Sequence, residues 1–181
     1  AGLMASQLAL LFAKRLQVPV IMTDLDAARV DKGLAYVADD LATQVEKGRL
    51  TPDKASRLRG LITGSTDTAV FADADFVIEA VFENLDVKRQ VMAQLEAVVS
   101  PTAILATNTS SLSVSAMAEG LAHPERVVGF HFFNPVAVMP LLEIARGSRT
   151  DDAALATAFS VGKTLKKTCV LVQDAPAFVV N

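Results

Sequence analysis

An α/β fold built on a mainly parallel sheet is the class that this sequence predicts, and three observations predict it. Short apolar runs of strand length alternate with segments whose apolar residues recur at helical spacing through most of the chain. Several of the strand-like runs are continuously apolar, the pattern of strands covered on both faces. At 181 residues, 51% of them hydrophobic and 20% charged, the chain suffices for one domain with a substantial buried core.

Each element follows in order. Leu3, Leu8, Leu11, Phe12 and Leu16 suit a first helix, and VPVIMTD (residues 18–24) then reads as a strand buried on both faces and ending on an acid. From Asp26 to about Gly60 come two polar amphipathic helices, broken at GRLTPDKA, where Thr51 can cap and Pro52 takes the first helical position. This excursion is long for a simple crossover and is expected to protrude as a helical hairpin. LITGS (61–65) and DFVIEAV (75–81) are strands, and a helix over about 85–99 presents Val87, Val91, Leu95 and Val98 on one face. TAILATN (102–108) is a buried strand closed by the polar run NTSSLS. A short helix near 114–121 leads to RVVGFHFF (126–133), a turn at Asn134–Pro135, and MPLLEIAR (139–146). A helix over about 152–165 and the strand KTCVLVQ (167–173) complete the pattern, with no internal repeat or low-complexity tract.

Composition removes several function classes. The net charge is −3 and the basic residues form only short groups such as Lys166–Lys167, so neither nucleic acid nor an anionic membrane is an expected partner. The apolar stretch 8–13 is too short to span a bilayer, and it stands in the wrong order for a signal peptide. The single Cys169 excludes an internal disulfide and suits a reducing, cytoplasmic compartment; within TCVLV it reads as a small buried hydrophobe.

Gly2, then Leu3–Met4, then Ala5 matches the tail of the G-x-G-x-x-G/A turn, in which glycine lets backbone approach a pyrophosphate at a helix N-terminus. Alone, G-x-x-A is weak, since many helices begin that way. Asp24, about twenty residues on at the end of the next strand, strengthens it: an acid there accepts both ribose hydroxyls and repels a 2′-phosphate, favouring NAD over NADP. The plainer alternative is a helix-start Asp. Of the two histidines, His123 lies in a polar loop and is expected to be exposed, whereas His131 lies at the carboxyl end of a strand, where such sheets place their ligand crevice. Glu143 interrupts the apolar PLLEIA and can reach His131 if the two strands are neighbours; it would then fix the tautomer and favour the protonated form, as a general base requires. A half-buried histidine and a surface glutamate remain the alternative. Asn108 to Ser111 offers an amide and hydroxyls at the same edge, or a helix cap.

With FVIEAVFEN, ATNTSSLS, RVVGFHFFNPVAVMPLLEI and DAPAFVVN in order and at matching spacing, the sequence resembles the NAD-binding domain of the 3-hydroxyacyl-CoA dehydrogenases of fatty-acid β-oxidation over essentially its whole length, 1–181. The resemblance implies a Rossmann-type doubly wound sheet and NAD-dependent oxidation of 3-hydroxyacyl-CoA. His131 then matches the catalytic base, Glu143 its orienting carboxylate, Ser110 the serine that bonds the reacting oxygen against the nicotinamide, and Asn181 the substrate-site asparagine. On the cofactor side, Gly2, Leu3 and Met4 match the phosphate turn, and Asp24 matches the adenosine-ribose acid. Ala80, Glu83, Lys88, Asn108 and Asn134 match positions that line the rest of NAD, and the 26–60 hairpin matches the element that contacts CoA. VMPLLE is closer to the multifunctional members that also carry an enoyl-CoA hydratase than to stand-alone 3-hydroxybutyryl-CoA dehydrogenases. The family's first strand and its C-terminal helical domain are not within these residues. The chain is therefore expected to be a fragment, unstable or inactive alone, of an oligomer or multienzyme complex. A non-catalytic NAD- or acyl-CoA-binding relative is the alternative of another class, against which stand His131, Glu143, Ser110 and Asn181 together.

Overall fold

A computed structural model of the chain describes residues 1–179, and the fold divides into two compact units: Ala1–Val70 with Asn134–Val138, and Phe71–Phe133 with the residues from Met139 on. In the first unit, α1 (Leu3–Leu16) starts at Gly2 and buries Leu8, Leu10, Leu11 and Ala13 along its apolar stripe. It stops where Gln17 turns left-handed, at φ 58°, and donates its N–H to the Ala13 carbonyl. β1 (Val20–Thr23) pairs in parallel with β2 (Ile62–Ser65), Val20 opposite Ile62. Between them run α2 (Ala27–Glu46) and α3 (Pro52–Leu61). Asp26 caps α2 by accepting from the Arg29 N–H at 2.9 Å; Thr51 caps α3 from Lys54, with Pro52 opening the helix as the sequence predicts.

The near half of this hairpin is bound to the unit by a core of Ala9, Leu10, Ala13, Met22, Val37, Leu41, Leu58 and Ile62. Past Leu41 no residue of α2 is buried, so the far turn projects into solvent. Gly48 sits in that turn at φ +66°, a conformation that a side chain disfavours. β1 differs from expectation in one respect: only Met22 is buried. β1 pairs with β2 alone among the described strands, and the core covers the face that Met22 presents.

In the second unit, β3 (Phe76–Glu79), β4 (Ile104–Thr107), β5 (Val127–Phe132), β6 (Leu141–Arg146) and β7 (Thr168–Gln173) form one sheet in that order. All neighbours are parallel except β5 and β6, whose short 133–140 connection leaves no room for a crossover helix. β4 and β5 are buried at every residue, as their continuous apolar runs predict, and Leu105, Phe130, Leu142 and Ile144 are wholly enclosed. α4 (Leu85–Glu96), α5 (Val114–Ala118) and α6 (Asp152–Thr164) pack against this sheet. Gly129 lets β5 lie close to its neighbours, since a Cβ there would come within 2.6 Å of the Ala145 Cβ. Cys169, half-buried against Gly162, has its thiol pKa raised by burial, the opposite of a reactive thiolate, although Lys163 pulls it slightly down.

One helix face is corrected. α4 and the turn after it bury Lys88, Met92, Leu95 and Val99, while Val87 is exposed. The inward face is rotated by one residue because Lys88 has a buried carboxylate partner, described below. His123 is partly exposed beside Glu125, at 3.1 Å. No helix of the described residues is long and apolar enough to cross a membrane.

Candidate active site

β5 and β6 bring His131 and Glu143 directly opposite each other in the antiparallel register. Residues paired in this way share a face of the sheet and have close Cβ atoms. The imidazole Nδ1 donates to Glu143 Oε2 at 2.9 Å, with His131 5% and Glu143 1% exposed. A carboxylate can only accept, so Nδ1 carries the hydrogen and Nε2 carries the lone pair. Phe133 stands against the imidazole at a ring-centroid distance of 4.5 Å. The site thus offers one basic nitrogen, aimed by a carboxylate that is poised to stabilise a positive imidazole.

The parallel order of β3, β4 and β5 sets their carboxyl ends side by side. There Lys88, 1% exposed, donates to Glu79 Oε1 at 2.8 Å and Oε2 at 2.9 Å, and lies 3.3 Å from Glu83 Oε2. Glu79, equally enclosed, also accepts from the Thr107 hydroxyl and from the Val81 N–H at 3.1 Å. Glu83 Oε1 in turn accepts from the Thr109 hydroxyl at 2.5 Å and from the Ser110 N–H at 3.0 Å, tying the NTSS loop to the turn after β3. Burial alone raises the Glu83 carboxyl pKa, but the Thr109 hydrogen bond and the Lys88 charge outweigh it and hold it below the usual glutamate value. Asn108 Oδ1 accepts from the Phe132 N–H at 2.9 Å, fixing the end of β4 to the end of β5. Ala80, half-buried, follows Glu79 at the same edge.

In the other unit, α1 begins without a side-chain cap and without an acid in its first turn, and a Cβ at Gly2 would meet open space. The N–H groups of Leu3 and Met4 have no partner within the helix, and the dipole favours an anion there. Asp24 follows β1 with its carboxylate 20% exposed. Its Oδ1 accepts from the Leu25 N–H at 2.8 Å and lies 3.6 Å from the Arg29 guanidinium. Asn134 Oδ1 accepts from Gln7 Nε2 at 3.1 Å, and Gln7 Oε1 accepts from the Val136 N–H at 2.7 Å. A bare helix start and an acid at a strand end fit a dinucleotide's pyrophosphate and ribose.

Asn181 lies outside the described residues. Glu79 and Gln7 carry structure that the sequence reading did not single out. Glu79 sits in a run that reads as an ordinary strand, although an acid flanked by apolar residues is itself a signal of a buried partner. Gln7 interrupts the apolar stripe of α1 with equally little context.

Known proteins share this fold. Residues 1–175 match the family model described as 3-hydroxyacyl-CoA dehydrogenase, NAD binding domain. The fatty acid oxidation complex subunit alpha of Pseudomonas putida is 41% identical over 181 residues, all of this chain and 25% of that protein. FadB2 of M. tuberculosis superposes with a TM-score of 0.94 at 39% identity, over 100% of this chain and 64% of that one. The (S)-3-hydroxybutyryl-CoA dehydrogenase PaaH1 of Ralstonia eutropha superposes with a TM-score of 0.95 at 37% identity, over 99% and 63%. The chain thus spans a quarter of the curated relatives it matches. With its mainly parallel Rossmann-type architecture and a family match over nearly all its residues, the chain belongs to the NAD-binding domain family of the 3-hydroxyacyl-CoA dehydrogenases.

Proposed function

We propose that residues 1–181 form the NAD-binding domain of a protein that oxidises 3-hydroxyacyl-CoA to 3-oxoacyl-CoA in fatty-acid β-oxidation. The observation that carries this reading is the buried pairing of His131 with Glu143 across β5 and β6, at 2.9 Å. It leaves Nε2 as a base and supplies a carboxylate for the cation that proton transfer creates. His131 Nε2 takes the proton of the 3-hydroxyl, Glu143 holds the resulting imidazolium, and the C3–O bond becomes a carbonyl. NAD+, when bound, supplies the acceptor for the hydride that leaves C3. Ser110, on the loop held by Glu83, hydrogen-bonds the reacting oxygen, and Asn181 contributes to the substrate site.

On the cofactor side, the N–H groups beyond Gly2, at Leu3 and Met4, take the pyrophosphate and Asp24 takes the adenosine ribose. Ala80, Glu83, Asn108 and Asn134 line the remainder. Lys88 acts from beneath, because its ammonium is enclosed with Glu79 and Glu83. The similarity to fatty acid oxidation complex alpha subunits supports placement in a multienzyme assembly, and the single Cys169 supports a reducing, cytoplasmic compartment for it. The similarity to a 3-hydroxybutyryl-CoA dehydrogenase supports a second reading, a short-chain enzyme.

The test follows NADH formation by the full-length protein over a series of 3-hydroxyacyl-CoA chain lengths, with NAD affinity measured separately. His131→Gln is expected to lower kcat by about 10²–10⁴-fold and to leave NAD affinity within about twofold. Undiminished turnover in that variant removes His131 from the role. NAD binding with no oxidation by the unaltered protein at any chain length establishes a non-catalytic relative instead.

A further inference from the structure

Residues 174–179, beyond β7, fold back onto the chain. Asp174, half-buried, accepts hydrogen bonds from the Val114 N–H at 2.7 Å, from the Ser115 N–H and the Ser113 hydroxyl each at 2.8 Å, and from the Ser115 hydroxyl. Ser113 caps α5 from within by accepting from the Ala116 N–H at 3.1 Å, which leaves the Val114 and Ser115 N–H groups for Asp174. The ties therefore bind a segment distant in sequence to the start of α5.

After Asp174 the backbone turns sharply. Ala177 and Phe178 lie in succession at φ 63° and 51°, left-handed positions that side chains disfavour and that persist only where surrounding contacts hold them. The Phe178 N–H closes the turn on the Ala175 carbonyl at 3.0 Å. Its effect is local and directed. The Phe178 ring is brought to 6.0 Å from the His131 imidazole, and the Val179 N–H donates to Glu143 Oε1 at 3.2 Å. Both oxygens of Glu143 are therefore engaged, Oε2 by His131 and Oε1 by this turn.

We propose that Asp174 is a positioning residue: by clamping residues 113–115 it holds the strained 175–179 turn that sets Phe178 and the Val179 N–H on the His131–Glu143 pair. This inference rests on the reading that His131 and Glu143 perform the oxidation. Releasing the turn removes a donor from the Glu143 anion and lets water reach the imidazole. Both changes favour the protonated imidazole, so the base needs a higher pH to act.

The test compares full-length Asp174→Ala with the unaltered protein by hydrogen exchange over peptide 174–179, by the pH profile of kcat/KM, and by NADH affinity. Exchange at Ala177–Val179 is expected to rise at least about tenfold, and the acid limb to move up by about half a pH unit, with NADH affinity within about twofold. Ser113→Ala/Ser115→Ala, which leaves only the two N–H donors on Asp174, is expected to shift both readouts in the same direction by less, and it serves if Asp174→Ala does not fold. Unchanged exchange, or faster exchange with the acid limb unmoved, overturns the proposal. If the unaltered protein oxidises no 3-hydroxyacyl-CoA, the functional reading fails and the dyad-tuning part of the proposal falls with it; the exchange measurement still decides whether Asp174 clamps the turn.

Discussion

At His131 a single hydrogen bond decides which nitrogen can act. Glu143→Gln keeps the size of the side chain but removes the charge that, in the proposed mechanism, stabilises the imidazolium, so kcat is expected to fall about 10²-fold or more while the fold persists. NADH formation and near-ultraviolet circular dichroism check the two halves of that statement. Lys88 raises a different issue, since its ammonium is enclosed with Glu79. Lys88→Met leaves Glu79 buried and unpaired, and breaking such a pair from one side costs about 3–5 kcal/mol. Adding Glu79→Gln should recover most of that loss, as read from urea unfolding midpoints. The sequence showed both residue types and suggested that His131 and Glu143 could meet if their strands were neighbours. It could not show that Lys88 points inward, because the identity of its partner depends on how α4 lies against β3 and β4.

The helices and strands themselves were legible, since each is written in local periodicity and capping: Thr51–Pro52 starts α3, and the continuous run of β4 is buried at every residue. What periodicity misjudged was a rotation by one residue in α4, where a charged side chain took a core position. The α2–α3 hairpin is anchored through residues such as Leu41, 3% exposed, and Leu41→Ala is expected to cost about 2–5 kcal/mol. In the other unit, Gly129→Ala sets a new methyl within 2.6 Å of Ala145 Cβ and against Val114. Overpacking of this kind costs about 1–3 kcal/mol, and thermal unfolding of the variant in the full-length protein measures it. No local pattern marked that glycine, because its constraint comes from the neighbouring strand and from α5.

Among the described residues, three carboxyls clear of the first residue share one property. Glu83, Glu125 and Asp174 are each drawn upward by burial but held below ordinary values of 4.5, 4.5 and 3.8 by stronger hydrogen bonds and charges. In each case the folded state binds its proton less readily than the unfolded chain does. Their contribution to stability is therefore complete above those ordinary values and is lost as pH falls through the lower folded values. Unfolding midpoints should stay level from about pH 7 to 5 and drop below about 4.5, and Asp174→Asn should flatten that drop. Partial exposure of Glu83 and Glu125 keeps their shares small. Long-range relations of this sort, Asp174 to residues 113–115 above all, lie beyond a reading of neighbours in sequence. The register of β5 on β6 also governs which lengths can vary through descent. A residue added between Gly129 and His131, or between Glu143 and Ala145, turns one member of the pair to the opposite face of the sheet. One added in the 133–140 connection disturbs neither strand's parity. Insertions and deletions among relatives should accordingly gather in that connection and spare both short intervals, so that gap positions alone record the chemistry.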